Sequence, residues 1–425
     1  MKQLFDDIYI TDDTNECSEE TLFLKTKQNK KYIDRIDTGR IRGIITPKEL
    51  IKKLDIDKIK IIGITGTNGK TTTAGALYSI LLDLGYNVAL QGTRGFFINE
   101  ERFEEKTLTT PCIFQTIMHL KEAINKNCNF FIMEVSSHAI AQERIEGIDF
   151  ALKVFTNISQ DHLDYHKTMQ EYKSIKSSFF NDESLKLINK DGGKIDFNIK
   201  NARSYSLEYP ATYKIEAYSM QNGLQAVLKH FNEFFQFSSP MMGLFNLYNL
   251  TAAIASAHII TDKSLEEITK VTDNFAGVSG RMQIVSNNPL VIVDFAHTPD
   301  GMQKVLESMK DKDISVVFGA GGDRDKNKRA KMGRVASKFA KKIYITSDNP
   351  RSEDPLDIIK DIAEGVSNPD TLIIPDRKKA IKIALEKLQS NEVLMILGKG
   401  DEKYQEIKGK KIPFSDMETV YSLLK

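Results

Sequence analysis

One segment of the chain indicates its architecture more clearly than any other: Ile61-Ile62-Gly63-Ile64-Thr65-Gly66-Thr67-Asn68-Gly69-Lys70-Thr71-Thr72. An apolar run ends there in a glycine-rich turn, and a helical pattern begins at Ala74. A strand, a loop and a helix in this order are the context that a phosphate-binding loop requires. The more common loop carries glycine where this chain has Ile64, so the segment is a tighter variant. The alternative interpretation is an ordinary turn between a strand and a helix.

The residue types of this loop suit the binding of nucleotide phosphates. Gly66 and Gly69 allow backbone N–H groups to converge on phosphate oxygens. The helix that follows directs its positive end toward the same anion. Lys70 can reach the β- and γ-phosphates, and the hydroxyl of Thr71 can hold Mg²⁺. We therefore predict that Lys70 contacts the phosphates and that Thr71 holds the metal ion.

The composition is that of an ordinary globular protein. A chain of 425 residues is too long for one hydrophobic core, so about two to four domains are expected. Hydrophobic residues make up 41% and charged residues 28%, which is typical of soluble proteins. The net charge of +1 argues against a protein that binds nucleic acid through a basic surface.

Three further observations predict a cytoplasmic protein without a membrane partner. Cys17, Cys112 and Cys128 have neither metal-ligand spacing nor the even number of a disulfide framework, which favours a reducing compartment. Residues 1–7 lack the apolar core of a signal peptide. No stretch is long and apolar enough to span a bilayer.

Apolar strand patterns alternate with helical patterns along most of the chain, which predicts α/β architecture with parallel sheets. We predict a small N-terminal domain over residues 1–57, a central phosphate-loop domain over 58–277 and a second doubly wound domain over 278–425. The predicted strands are 21–24, 43–45, 61–64, 87–90, 130–133, 152–155, 290–293, 314–318, 342–346, 371–374 and 393–397. An Ala-rich helix is predicted from residue 246 through residue 257, and another over 378–388.

Polar residues directly after the apolar strands are the candidates for chemistry, because ligands bind at the carboxyl ends of parallel strands. Glu134 follows one strand and His162 lies just beyond another. Either alone is more often a satisfied buried residue than a ligand. Both follow strands of the sheet that carries the phosphate loop, so they could bind a second Mg²⁺ near the γ-phosphate. By composition, Lys176 is an ordinary helix lysine on a solvated face.

The chain resembles the Mur ligases, the ATP-dependent family that extends the peptide of the cell-wall precursor. The resemblance covers more than about three quarters of the chain, from the phosphate loop to the C-terminus. The motifs that carry it, besides the loop, are Glu134-Val135-Ser136-Ser137-His138, Asn157-Ile158-Ser159-Gln160-Asp161-His162-Leu163-Asp164-Tyr165-His166, Gly280-Arg281-Met282, Asp294-Phe295-Ala296-His297-Thr298-Pro299-Asp300, Gly321-Gly322-Asp323-Arg324-Asp325, Asp348-Asn349-Pro350-Arg351 and Gly398-Lys399-Gly400.

Within that family the chain is most similar to the members that add the third residue of the peptide. The resemblance implies a ligase that uses ATP and Mg²⁺ to join meso-diaminopimelate to UDP-MurNAc-L-Ala-D-Glu through an acyl phosphate. It also implies an N-terminal domain for the UDP-substrate, a C-terminal domain for the amino acid, and a monomer. The alternatives are a lysine-adding Mur ligase, a folylpolyglutamate-synthetase-like ligase, and a nucleotide-binding module without ligase chemistry.

The resemblance also assigns roles to individual residues. Those implied to bind ATP are Gly66, Thr67, Asn68, Gly69, Lys70, Thr71, Thr72, Asn249, Arg281, Asp294 and His297, and those implied to bind the muramoyl-dipeptide are Thr109, Thr110, Ser136, Gln142 and Arg144. The implied amino-acid pocket comprises Arg324, Asp348, Asn349, Pro350, Arg351, Gly398 and Glu402. Lys176 matches a lysine that CO₂ converts to a carbamate (N6-carboxylysine), which would ligate Mg²⁺ with Thr71, Glu134 and His162. Lys70, Lys176, Glu134 and His162 are thus the implied catalytic set.

Two stretches depart from the family pattern. The family usually has Asp-Ser-Arg near the uridine, where this chain has Asp12-Asp13-Thr14-Asn15. It also usually has histidine where this chain has Asp401, although the spacing of Gly398 and Glu402 is kept.

The selection of meso-diaminopimelate is predicted to depend on Arg351. Pro350 stiffens the turn before it, and a guanidinium can hold the far carboxylate of the ligand with two charge-assisted bonds. Arg324 is a second candidate for a carboxylate. The alternative is that Arg351 merely pairs with Glu353 or Asp354 at the surface.

Overall fold

The structure is a computed structural model that describes residues 2–5, 8–54, 56–105, 108–221 and 223–424. It contains three α/β units in chain order, each with its own sheet, and a short two-stranded ribbon near the C-terminus. The predicted α/β class with three domains is confirmed. The domain boundaries after residues 57 and 277 stay predictions.

The N-terminal sheet has the strand order β1-β2-β3-β4, and only the β1–β2 pair is antiparallel. Its strands and the helix that follows are β1 (Lys2–Phe5), β2 (Ile8–Thr11), β3 (Thr21–Leu24), β4 (Gly43–Ile45) and α1 (Pro47–Lys52). Thr46 and Glu49 form a capping box that starts α1. Ile10 and Leu24 belong to a core cluster that continues into the central domain, so this sheet is anchored by apolar burial.

The central sheet has eleven strands in the order β15-β14-β13-β12-β11-β10-β5-β9-β6-β7-β8. The strands are β5 (Lys60–Thr65), β6 (Val88–Gly92), β7 (Gly95–Ile98), β8 (Glu101–Glu104), β9 (Phe130–Glu134), β10 (Leu152–Phe155), β11 (Lys186–Asn189), β12 (Ala202–Ser206), β13 (Tyr213–Ser219), β14 (Leu224–His230) and β15 (Glu233–Ser239). The helices of this unit are α2 (Lys70–Asp83), α3 (Ile113–Asn125), α4 (Ser137–Ala141), α5 (Leu163–His166), α6 (Met169–Ser178), α7 (Leu244–Ile260) and α8 (Leu265–Lys270).

The phosphate-loop strand β5 lies between β10 and β9, parallel to both. Ile62 and Ile64 face a core shared with α2 and α7, whereas Ile61 faces the core shared with α3. This two-sided burial explains why the strand reads as a continuous apolar run.

The central sheet is mixed, whereas the sequence predicted a parallel sheet. The strand pairs β6–β7, β7–β8, β13–β14 and β14–β15 are antiparallel. Short turns join these strands, and a parallel pairing would need a long crossover instead. The parallel part is therefore the middle of the sheet, where the phosphate loop lies.

The C-terminal sheet has the order β16-β17-β21-β18-β19-β20, with one antiparallel edge strand, β16. Its strands are β16 (Gln283–Asn287), β17 (Leu290–Asp294), β18 (Asp313–Phe318), β19 (Lys342–Ile345), β20 (Thr371–Ile373) and β21 (Glu392–Leu397), followed by the ribbon β22 (Tyr404–Ile407) and β23 (Lys410–Pro413). Its helices are α9 (Pro299–Glu307), α10 (Asn327–Phe339), α11 (Pro355–Ala363), α12 (Arg377–Glu386) and α13 (Asp416–Leu423). Short 3-10 helices elsewhere cover Thr14–Glu16, Lys30–Arg35, Thr38–Arg40, Ile56–Lys58 and Thr272–Asn274.

The central and C-terminal domains pack against each other next to the start of α7. Met242 and Phe245 of the central domain contact the apolar core of the C-terminal domain. This contact brings the carboxyl ends of the two sheets toward a shared cleft. Separately, no helix in the described ranges has the length and apolar character needed to cross a membrane.

Candidate active site

A cavity of about 780 Å³ lies between the central and C-terminal domains. Its central-domain wall consists of Thr93, Leu108, Thr109, Thr110, Ser136, His138, Arg144, Ser159, Gln160, Asp161 and His162. Its C-terminal wall consists of Phe295, His297, Thr298, Pro299, Asp300, Gln303, Gly321, Arg324, Asp325, Lys328, Lys331, Asp348, Asn349, Arg351, Gly398, Glu402 and Tyr404. The structure thus brings most of the predicted dipeptide residues opposite most of the predicted amino-acid residues.

The phosphate loop has the geometry that its sequence predicts. Gly69 caps α2 with φ 85°, and a Cβ there would lie 2.3 Å from Oδ1 of Asn249, so only glycine fits. The ammonium of Lys70 folds back and donates to the carbonyl oxygens of Gly66 (2.8 Å) and Thr67 (2.9 Å). Burial lowers the pKa of Lys70, which the nearby Glu134 carboxylate partly opposes. When phosphates bind, the ammonium of Lys70 would give up its bonds to these two backbone carbonyls and pair with the charged phosphates instead.

Glu134 is buried at the end of β9 beside the first turn of α2. Its carboxylate accepts from the Thr71 hydroxyl (2.9 Å) and from both the N–H (2.8 Å) and the hydroxyl (3.1 Å) of Thr93. A Cβ on Gly92, at the end of β6, would lie 2.2 Å from Glu134 Oε1. A glycine at this position therefore leaves room for the Glu134 carboxylate. The result is a compact group of oxygen donors next to the phosphate loop.

Lys176 is buried, and its interpretation from composition as a solvated lysine is wrong. Its Nζ donates to the carbonyl of Gly66 (3.0 Å) and the hydroxyl of Thr65 (3.3 Å). Burial, with the neighbouring charge of Lys70, lowers the pKa of Lys176 well below that of a free lysine. Among the described residues no carboxylate forms an ion pair with it. Lys176 therefore loses its proton, and becomes the nucleophilic amine, more readily than a free lysine does.

His162 stands at the other side of the loop with φ 53°, a left-handed conformation that costs energy in a non-glycine residue. Its Nε2 lies 3.4 Å from the carboxylate of Asp161, and its ring packs edge-on against His138. Burial lowers the pKa of His162 to about 4, so the ring is neutral at pH 7 and able to act as a ligand.

The four predicted metal ligands are not joined in one cluster. Thr71 and Glu134 are bonded to each other and line a smaller cavity of about 330 Å³, whereas His162 lines the large cavity. Within the described ranges, no three His, Cys, Asp or Glu side chains are grouped closely enough to hold a metal. The oxygen donors of Thr71 and Glu134 remain the best-formed part of the predicted magnesium site.

Hydrogen bonds connect the predicted dipeptide residues. Thr110 donates to the carbonyl of Glu134 (2.9 Å) and accepts from the N–H of Ser136 (2.9 Å). Arg144 donates to the carbonyl of Thr110 (2.9 Å) and to Gln142 (2.5 Å). The hydroxyl of Thr109 lies 3.1 Å from that of Thr93. Gln142 lies outside the residues that line the cavity and instead orients Arg144.

On the C-terminal wall, the predicted amino-acid residues surround the buried side chain of Lys399. Its ammonium donates to Asn349 (3.0 Å) and Glu402 (3.0 Å) and lies 3.9 Å from Asp348. Asn349 also donates to Glu402 (2.9 Å). The Gly398 N–H donates to the carbonyl of Asp294 (3.0 Å). These bonds fix the polar groups that face the cavity.

Arg351 faces the cavity and does not pair with Glu353 or Asp354, so that alternative is wrong. Its Nη1 donates to the carbonyl of Gly322 (2.7 Å), and its Nε lies 3.2 Å from Glu406. Glu353 pairs with Arg329 instead, and Asp354 caps α11. Pro350 lies behind this turn, where its carbonyl packs against Gly322.

The residues predicted to close on ATP lie at the junction of the two domains. Arg281 stacks over the ring of Phe295 at 4.4 Å. Asp294 is buried and accepts from two backbone N–H groups at 2.7 Å, and burial raises its pKa despite the nearby Arg281. Burial and the charge of Lys328 lower the pKa of His297, which favours the neutral form of its ring.

Comparisons with known proteins agree with this geometry. Residues 64–257 match the Mur ligase middle domain, and residues 280–400 match the Mur ligase glutamate ligase domain. The UDP-N-acetylmuramoyl-L-alanyl-D-glutamate–2,6-diaminopimelate ligase of Wolinella succinogenes is 51% identical over 417 residues, which cover 98% of this chain and 96% of that protein. The chain belongs to the Mur ligase family.

Two further relatives extend the comparison. The Helicobacter pylori ligase of the same name is 50% identical over 97% of this chain and 94% of that protein. A solved structure of a ligase with this name superposes with a TM-score of 0.69 at 29% identity, covering 98% of this chain and 94% of that one. Mycobacterium tuberculosis folylpolyglutamate synthase reaches 0.68 at 14% identity over 83% of this chain and 91% of that one, which shows a shared fold alone.

Two residues of this site, Thr93 and Lys399, were not predicted from the sequence. Thr93 bonds both Glu134 and Thr109, and Lys399 anchors the opposite wall. Thr93 follows β6 directly, so the rule that ligands gather at strand ends could have found it. Lys399 lies within the Gly398-Lys399-Gly400 motif, but its buried position depends on contacts with residues distant in sequence, such as Asn349.

The two departures from the Mur ligase pattern also have structural partners. Asp13 accepts from the N–H of Asn15 (2.9 Å) and thereby caps a short 3-10 helix. Asp401 lies 3.5 Å from Nε of Arg94, which belongs to the central domain. The first contact is local, whereas the second crosses the cleft.

Proposed function

We propose that this chain joins 2,6-diaminopimelate, as its meso isomer, to UDP-MurNAc-L-Ala-D-Glu at the expense of ATP. The observation that carries the proposal is the single cavity that places Thr110 and Arg144 opposite Asp348, Arg351 and Glu402. Two relatives that are about 50% identical to this chain are named as ligases that catalyse this reaction. Because residues of one chain line both walls, we propose that a monomer suffices, and we place the reaction in the cytoplasm where ATP is available.

The proposed chemistry has two steps that require positioning more than covalent participation by the protein. The terminal carboxylate of the dipeptide attacks the γ-phosphorus of ATP, which forms an acyl phosphate and releases ADP. The amine of diaminopimelate then attacks the acyl carbon, phosphate leaves, and the amine loses a proton. Lys70 would neutralise charge on the transferred phosphoryl group, and Arg144 and Arg351 would hold the two reactants.

The donor set beside the loop fits Mg²⁺, which prefers oxygen ligands. Thr71 and Glu134 would hold the ion, and bound there it would neutralise charge on the phosphates. His162 and a carbamate on Lys176 are proposed as further ligands. The neutral amine of buried Lys176 is the form that attacks CO₂, with formation of an N–C bond and loss of a proton from nitrogen. The product is a carboxylate in place of a cation.

The direct test measures phosphate release by the purified protein with ATP, Mg²⁺ and UDP-MurNAc-L-Ala-D-Glu while the amino acid is varied. We expect release that depends on meso-diaminopimelate, and a product whose mass equals that of the joined substrates. Release with glutamate and a folate substrate instead would overturn the proposal. ATP binding without release for any amino acid would indicate a binding module.

Replacement of Lys176 by alanine should lower kcat by roughly 10²- to 10³-fold, because the substitution would remove the carbamate, a charged group proposed to hold Mg²⁺ beside the phosphates. Added formate or acetate should restore part of the lost activity. Native mass spectrometry of the unmodified protein should show the mass of one additional CO₂. The matched control is Lys173→Ala on the same helix, since Lys173 is partly exposed and lies 3.7 Å from Asp196. Unchanged turnover in Lys176→Ala would contradict the assignment.

The C-terminal domain should move as a body during turnover, with a hinge near residues 278–280. Gly280 and Ser279 both bond the side chain of Gln283, which forms a compact turn between the two domains. We expect small-angle X-ray scattering to show a smaller radius of gyration with a non-hydrolysable ATP analogue and both other substrates than without them. Identical scattering curves in the two states would exclude a large closure.

A further inference from the structure

Two short hydrogen bonds between the two large domains converge on one carboxylate. Asp300, in the first turn of α9, accepts at Oδ2 from the side-chain amide of Asn68 (2.7 Å) and from the hydroxyl of Ser159 (2.9 Å). Asn68 belongs to the phosphate loop and Ser159 to the segment after β10, so both donors lie in the central domain. We infer that Asp300 is a positioning residue through which the amino-acid domain holds the phosphate loop.

The backbone of Asn68 is already held by its own domain. Its N–H donates to the side chain of Asn157 (3.0 Å), and its carbonyl accepts from Thr156 (2.6 Å) and Asn157 (3.0 Å). The side-chain amide is therefore not needed to shape the loop locally. It is directed across the cleft, where Asp300 receives it. This arrangement assigns Asn68 a contact that a phosphate-binding role alone does not explain.

The charge of Asp300 is balanced within its own helix. Thr298 caps α9, so Asp300 lies in the first turn, where the helix dipole favours a negative charge. Lys304, one turn later, donates to the same Oδ2 oxygen at 2.9 Å. A carboxylate that is held in this way can approach an anion-binding loop without leaving the loop facing an uncompensated negative charge. Hydrogen bonds to a charged acceptor are also stronger than those between neutral groups.

Asp300 lies on the cavity wall that also carries the amino-acid pocket. When the C-terminal domain binds its amino acid, the resulting position of the domain would therefore be communicated to the phosphate loop through the Asp300–Asn68 bond. This inference rests on the proposed function, since it concerns the coupling of that reaction's two sites. It implies that loss of Asp300 impairs turnover of the assembled complex and leaves the binding of ATP alone unchanged.

The test compares Asp300→Ala and Asp300→Asn with Asp311→Ala, an exposed aspartate of the same domain. With all three substrates saturating, Asp300→Ala should lower kcat about ten- to a hundredfold, the range expected for lost bonds to a charged group. Asp300→Asn keeps an acceptor oxygen and should lose less. Asp311→Ala should match the unmodified protein. The dissociation constant of ATP, measured without the other substrates, should change less than about threefold in every variant.

A double-mutant cycle separates positioning from general destabilisation. If Asp300 acts through Asn68, the variant with both Asn68→Ala and Asp300→Ala should be no slower than the slower single variant. Multiplied losses in the double variant, or unchanged kcat in Asp300→Ala, would overturn the inference. If Asp300→Ala does not fold, Asp300→Asn and the cycle built on it decide in the same way. An unmodified protein that shows no diaminopimelate-dependent phosphate release would instead refute the proposed function.

Discussion

Replacement of Lys70 by alanine is expected to reduce ATP-dependent phosphate release by at least about a thousandfold, or about 4 kcal/mol in the transition state. The ammonium of Lys70 is half-buried in the loop, and in the described structure it donates to the backbone carbonyls of Gly66 and Thr67. It is therefore free to turn to the phosphates, where it would neutralise charge that develops during phosphoryl transfer. Rapid-quench measurement of phosphate release gives the rate directly.

The fold should survive this change, because Lys70 opens α2 without packing in its apolar core. A melting temperature within a few degrees of the unmodified value would show this. Lys382→Ala serves as the control, since Lys382 is an exposed lysine whose nearest partner is a glutamate one turn away. Phosphate release by Lys70→Ala at close to the normal rate would refute the assignment of the phosphate loop.

The unmodified enzyme should prefer meso-diaminopimelate over lysine by roughly four to five orders of magnitude in kcat/KM. The two amino acids differ by one carboxylate at the far end of the side chain. Arg351 is mostly buried at the cavity wall, with its Nη1 held by Gly322 and its Nε beside Glu406. Lysine would bring a cation to this guanidinium and leave the arginine without a carboxylate from the ligand.

Arg351→Ala should abolish most of this preference, with a much larger loss for diaminopimelate than for lysine and little change in ATP binding. Steady-state kinetics with both amino acids, together with calorimetric titration of ATP, measure the two effects. Arg334→Ala is a suitable control because Arg334 is exposed on α10 of the same domain. Similar kcat/KM values for lysine and diaminopimelate in the unmodified enzyme would contradict this specificity assignment.

The strands around the phosphate loop could be predicted from the sequence because they are buried on both faces. Continuous apolar runs such as that of β9, predicted over 130–133 and observed as Phe130–Glu134, leave few alternatives. β6 was predicted over 87–90, but its antiparallel neighbours β7 and β8 and the antiparallel arm β13–β15 were not. In β14 buried residues alternate with more exposed ones, and the direction of all these strands depends on short turns that carry weaker signals.

The site was predictable residue by residue only where a motif carried it. Lys176 lies on a polar helix and looks solvated, and its burial depends on the Gly66 carbonyl, which is 110 positions away in sequence. The contact of Asp300 could not be predicted from the sequence either, because its partner Asn68 is 232 positions away. Motifs indicate which residues take part, whereas domain packing determines which of them touch. The predicted magnesium ligands show the difference, because among the residues that the structure describes only Thr71 and Glu134 of that set are bonded to each other.

The ion pair between Arg94 and Asp401 bears on how the enzyme releases its product. Both side chains are partly exposed, at 36% and 27%, and they lie 3.5 Å apart across the cleft. Such a pair is worth at most about 1 kcal/mol, which is not much more than thermal energy. This pair therefore adds little to the bonds that Asp300 makes between the two domains, and by itself it would not prevent the cleft from opening to release the finished tripeptide precursor and ADP. In this chain the aspartate that replaces the family's histidine thus makes a contact weak enough to be broken in every catalytic cycle.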